Sequence, residues 1–75
     1  MDRTVSQIRE LMANPRLRAA RLDAGFTQAA LGFAIGRDEG FICKLETGRI
    51  RRVDPAIKQK IADLLGRPSW LLFDS

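Results

Sequence analysis

Gly36 separates two short apolar runs, and each run is preceded by a side chain suited to capping a helix. Thr27 stands before Gln28 to Ile35, while Asp38 opens a segment that reaches about Thr47 and is closed by Gly48. Side-chain oxygens of Thr and Asp accept hydrogen bonds from first-turn N–H groups that lack an intrahelical partner. Two short helices separated by a tight glycine turn suggest a helix-turn-helix. Ala29, Ala30, Leu31, Gly32, Ala34, Ile35, Ile42 and Leu45 are the expected internal contact, and Gly32 has no side chain to hold the second helix away.

The rest of the chain repeats the same helical signal. Apolar residues recur at three and four rather than two, which predicts an all-α fold without strands. Thr4 caps a helix bearing Val5, Ile8, Leu11 and Met12, and Asn14-Pro15 ends it. Pro15 opens a second helix with Leu17, Ala20, Arg21 and Ala24 in one stripe, stopped by Gly25. Asp54 and Pro55 start another, with Ile57, Ile61, Leu64 and Leu65 on one face, and Ser69 caps a last turn, Trp70 to Phe73. The expectation is a compact bundle of about five helices forming a single domain over residues 1–75. The N-terminal helix falls in 1–14, the core in 15–66 and a C-terminal tail or turn in 67–75. A chain of 75 residues has no room for two domains with a catalytic cleft between them.

Composition removes most chemistry. There is no His and one Cys, so imidazole bases, Cys-His pairs, disulfide frameworks and thiolate or imidazole metal sites are not expected. The reading is therefore not an enzyme, with no cofactor, no metal and no evident small-molecule ligand. No apolar run approaches the ~20 residues needed to span a bilayer. Charges run through Met1 to Met12, unlike a signal peptide, which points to the cytoplasm. Thirteen Lys and Arg against nine Asp and Glu give a net charge of +4, which suits an anionic partner. That excess is confined to Lys44, Arg49, Arg51, Arg52, Lys58 and Lys60 against Glu46 and Asp54, since the remaining seven charges of each sign cancel. Such a placement favours DNA over a membrane.

The stretch GFTQAALGFAIGRDEGFICKLETGRIRR, residues 25–52, resembles the lambda-repressor/Cro-like (XRE) helix-turn-helix family. Thr27-Gln28, Gly32, Gly36 and Glu46-Thr47-Gly48 carry the likeness, which extends from about Leu17 to Phe73 because IADLLGRPSWLLF is similar to the family's last helix and tail. It implies a lambda repressor-like fold and binding to double-stranded DNA. It further implies that Gln28 contacts the DNA backbone and braces the recognition helix, and that Thr47, Arg49, Arg51 and Arg52 contact phosphates. Arg21, central in an apolar stripe, needs a partner if buried, and the resemblance supplies Glu46. Arg37 departs from the pattern, standing where the family usually has Val or Ile; it joins the DNA-backbone set, and Phe41 is the residue placed to fill that space.

Stepping about 100° per residue along the second helix puts Ile42, Leu45 and Phe41 on one side, with Asp38 beside them. Glu39, Gly40, Cys43, Lys44 and Thr47 fall on the other. Glu39, Gly40, Cys43 and Lys44 are the expected base-reading residues: Lys44 donates to guanine O6 or N7, Glu39 accepts from cytosine N4, and Cys43 touches a thymine methyl. Gly40 costs about 1 kcal/mol relative to Ala within a helix. Close approach to DNA and a poorly optimised exposed turn both account for it.

Trp70, Leu71, Leu72 and Phe73 either pack on the body of the domain or form a dimer interface, for which Val5 to Met12 is a second candidate. The preferred reading is a sequence-specific transcriptional regulator, repressor- or Cro-like and of phage or bacterial type. It inserts helix 38–47 into the major groove of an operator as a homodimer. An antitoxin-type autoregulator that also binds a toxin, and a helical protein-interaction adaptor that binds no DNA, are the alternatives.

Overall fold

Four of the five helices in the computed structural model, which describes residues 13–73, begin on a side-chain cap. They are α1 (Pro15–Asp23), α2 (Gln28–Ala34), α3 (Glu39–Glu46), α4 (Pro55–Leu65) and α5 (Ser69–Leu72). Asn14 Oδ1 accepts from Leu17 N at 3.0 Å, Thr27 Oγ1 from Ala30 N at 2.9 Å, Asp38 Oδ1 from Phe41 N at 2.9 Å and Asp54 Oδ1 from Ala56 N at 2.8 Å. Each satisfies an N–H that helix geometry leaves unpaired.

The fifth helix corrects an expectation. Pro68, not Ser69, is the cap of α5: its extended backbone offers a carbonyl to Leu71 N at 3.0 Å, so Ser69 becomes the first helical residue and makes no side-chain cap. Ala24 also leaves the α1 stripe, because the helix stops at Asp23 and Ala24 is its exposed C-terminal flank. The helix expected from Thr4 to Met12 lies outside the described residues.

All described regular structure is helical, and α2 packs chiefly on α3, while α1 packs on α3 and α5, and α4 on α5. Leu17, Leu31, Ile42, Ile61 and Leu72 are fully buried, one from each helix. Burying a side chain of this size contributes about 1.5–3 kcal/mol, so every helix is anchored by at least one such residue. Ala20, Ile35, Leu45, Ala62, Leu65 and Phe73 complete the core, with Phe26, Phe41, Ile50, Val53 and Ile57 packed around it. On α4 the buried set is Ile61, Ala62 and Leu65, and Leu64 is 40% exposed. The stripe is rotated toward the small Ala62, whose size admits close packing, and this turns Leu64 outward.

Ala29, Ala30 and Ala34 are exposed too, so the α2–α3 contact is narrower than their apolar character suggests. Leu31, Gly32 and Ile35 make it from α2, and Ile42 and Leu45 from α3. The turn, residues 35–38, needs Gly36, whose φ is +77°. Side chains with a Cβ rarely adopt that region.

Candidate functional site

The α2–α3 crossing is closer than any side chain would permit. A Cβ built on Gly32 would lie 2.3 Å from the carbonyl oxygen of Asp38 and 2.4 Å from its carbon, both main-chain atoms that cannot swing away. The Gly32 carbonyl in turn accepts from Arg37 N at 2.7 Å, fixing the turn's exit. Gly32 therefore lets the main chain at the start of α3 lie directly against α2.

A buried polar group clamps the other end of α3. Arg21 on α1 and Glu46 on α3 are 5% and 6% exposed. Arg21 Nε donates to Glu46 Oε2 at 2.5 Å and its Nη2 to Oε1 at 3.2 Å, a two-point contact between planar groups. Arg21 Nη1 donates to the Phe26 carbonyl at 2.8 Å, and Gln28 Nε2 to Glu46 Oε1 at 3.0 Å. Among the described residues no buried side-chain nitrogen or oxygen lacks a partner. Burial of opposite charges costs desolvation energy that only such saturation offsets.

Asn14 is the participant that sequence reasoning missed. Besides capping α1, it donates through Nδ2 to the Leu72 carbonyl at 2.6 Å, while its main-chain N–H donates to the Glu46 carbonyl at 2.9 Å. It ties the start of α1 to the ends of α3 and α5. An Asn directly before a proline at the first helical position is itself a cap signal. Its long-range partners have no local signature.

The outward face of α3 is differently equipped. Glu39, Gly40 and Lys44 are exposed and Cys43 is half-buried. Thr47 is exposed, but its hydroxyl donates to the Cys43 carbonyl at 2.8 Å, so its one hydrogen is already engaged. Gln28 keeps one amide hydrogen beyond the one it gives Glu46. Arg37, Arg49, Arg51 and Arg52 are exposed and flank α3: Arg37 just before it, the others in the loop that follows. None of these four arginines, nor Lys44, has a carboxylate partner among the described residues. Elsewhere, exposed Arg67 lies 3.8 Å from Asp23.

The four tail residues separate into two kinds. Leu72 and Phe73 are buried in this chain's own core, Leu71 is half-buried, and Trp70 is 70% exposed. Of the two roles expected for this group, Leu72 and Phe73 take the packing one on the body of the domain, while Trp70 keeps free surface. No group of three or more His, Cys, Asp or Glu residues among the described ones is placed to hold a metal, and no described helix is long and apolar enough to cross a membrane.

A short α2, a glycine turn and an α3 whose far face stays open define a helix-turn-helix domain. The model of a family described as helix-turn-helix domain matches residues 15–70, from the first residue of α1 into α5. The chain belongs to that family. No curated protein and no solved structure matches it.

Proposed function

We propose that the chain is a sequence-specific DNA-binding regulator that places α3 in the major groove. One observation carries the reading. The open face of α3 and its two flanks gather Arg37, Lys44, Arg49, Arg51 and Arg52 without carboxylate partners among the described residues, whereas the opposite face of α3 is locked into the core. Unpartnered cations around an exposed helix are what a phosphate-lined groove requires.

Within this reading Glu39, Gly40, Cys43 and Lys44 face the base edges, with Lys44 the main donor to guanine. Arg37, Arg49, Arg51 and Arg52 contact phosphates, which orient the protein without reading sequence. Gln28 adds its remaining amide hydrogen. Thr47 joins only when its hydroxyl leaves the Cys43 carbonyl. Gly40 acquires a functional meaning, because a Cβ there would find only Asp38 Oδ1 nearby, at 3.4 Å, which is ordinary contact. The fold does not demand glycine at 40, and in this reading close approach to DNA is the reason for it.

The regulator acts in the cytoplasm by occupying an operator as a homodimer, with two α3 helices reading half-sites one turn of DNA apart. It needs no cofactor and performs no catalysis. Trp70 and Phe33, 70% and 84% exposed, support a protein partner in addition to DNA, which keeps a toxin-binding autoregulator as the second reading. Selection of bound fragments from a random duplex library at near-physiological salt tests the proposal. An enriched inverted repeat is the expected result. No enrichment would leave the protein-binding adaptor as the better account.

A further inference from the structure

Arg37 is held in place by an aromatic ring. Its guanidinium carbon lies over the Phe41 ring, 5.3 Å from the centroid, within the range of a cation–π contact. Its main-chain N–H is tied to the Gly32 carbonyl, so the backbone that carries it is fixed as well. The neighbouring Asp38 carboxylate caps α3 through Phe41 N. Phe41 is half-buried and packs against the core, which makes its ring a rigid platform. The guanidinium has no hydrogen-bond or carboxylate partner among the described residues, and a guanidinium over a ring face keeps its N–H edge free for two-point contact with a phosphate.

The major groove, about 12 Å wide, admits a helix by its diameter. α3 is only eight residues long, so cations just beyond its two ends stand near the phosphates that wall the groove. Arg49, Arg51 and Arg52 stand beyond one end and Arg37 beyond the other. We propose that Phe41 is a positioning residue that aims the Arg37 guanidinium at a DNA backbone phosphate on the rim facing the start of α3. This rests on the DNA-binding reading above. It gives a role to the arginine that follows the turn glycine: a ring packs against the core and a charge stands on it.

The test compares the full chain with Arg37→Met, Phe41→Leu, Phe41→Tyr and the double variant Arg37→Met/Phe41→Leu. Affinity for the selected duplex and for a random duplex is measured across a salt series, with thermal melting of each variant alongside. Arg37→Met flattens the slope of log affinity against log salt by about 0.9 on both duplexes. Phe41→Leu, which keeps an apolar group on the core and leaves the charge in place, flattens it in the same direction. Phe41→Tyr restores the wild-type slope, and Phe41→Leu adds nothing in the Arg37→Met background. An unchanged slope in Arg37→Met overturns the inference even if Phe41→Leu does not fold. So does a Phe41→Leu effect of equal size with and without Arg37. If the wild-type chain shows no salt-dependent affinity for any duplex, the DNA-binding reading fails and the inference falls with it; a wild-type slope that neither variant changes removes the inference alone.

Discussion

The two sides of α3 use charge in opposite ways. On the inner side, Arg21, Glu46 and Gln28 form a closed group in which every buried polar atom is partnered. On the outer side, Lys44 and the arginines before and after the helix stand exposed without a carboxylate in reach among the described residues. An interior ion pair is costly to break, since removing one partner strands a charge in a dry site. An exposed cation adds little to stability, so its removal should be felt in binding instead. Arginine is thus locked into the architecture on one face and left exposed and unpaired with any described carboxylate on the other.

Substitutions can break this contrast. The largest effect belongs to the inner side: Glu46→Ala should cost about 3–5 kcal/mol of unfolding free energy, read by denaturant titration. A variant that melts normally yet loses DNA binding would place Glu46 on the wrong side of the comparison. Next comes Lys44→Ala, which should weaken binding to the selected duplex by about 1–3 kcal/mol with the melting temperature unchanged. Equal loss on random DNA would remove Lys44 from the base readers.

Smaller and sequence-independent is the effect of Arg51→Ala combined with Arg52→Ala. The salt slope should flatten by about 0.9 for each lost phosphate contact, on specific and random duplexes alike, and an unaltered slope would take both residues off the backbone set. The smallest prediction sharpens the contrast most. Gly40→Ala should stabilise the folded chain by up to about 1 kcal/mol while weakening DNA binding, because the added methyl meets only ordinary contact inside the protein. Stabilisation without any loss of affinity would make Gly40 an unoptimised turn and nothing more.

Much of the fold was legible because its signals are local. Thr27, Asp38 and Asp54 sit one residue before their helices, and the inward side of α3 follows from the spacing of Ile42 and Leu45. Features that depend on distant neighbours were not. Asn14 reads as a helix end until Leu72, 58 positions away, supplies the acceptor for its amide. Leu64 and Ala62 exchange places because α4 turns its small side chain inward, which hydrophobicity alone does not reveal. For the outer site, periodicity placed Glu39, Gly40, Cys43, Lys44 and Thr47 on one face of the helix. It was blind to the engagement of the Thr47 hydroxyl by Cys43 and to the ring beneath Arg37.

The most direct test is duplex selection carried out in parallel on the wild-type chain and on Lys44→Ala at near-physiological salt. If the outer face of α3 reads DNA, the wild type enriches a defined motif, and the variant loses preference at one guanine position while the rest of the motif persists. An identical motif from both proteins, or no enrichment from the wild type, would contradict the account.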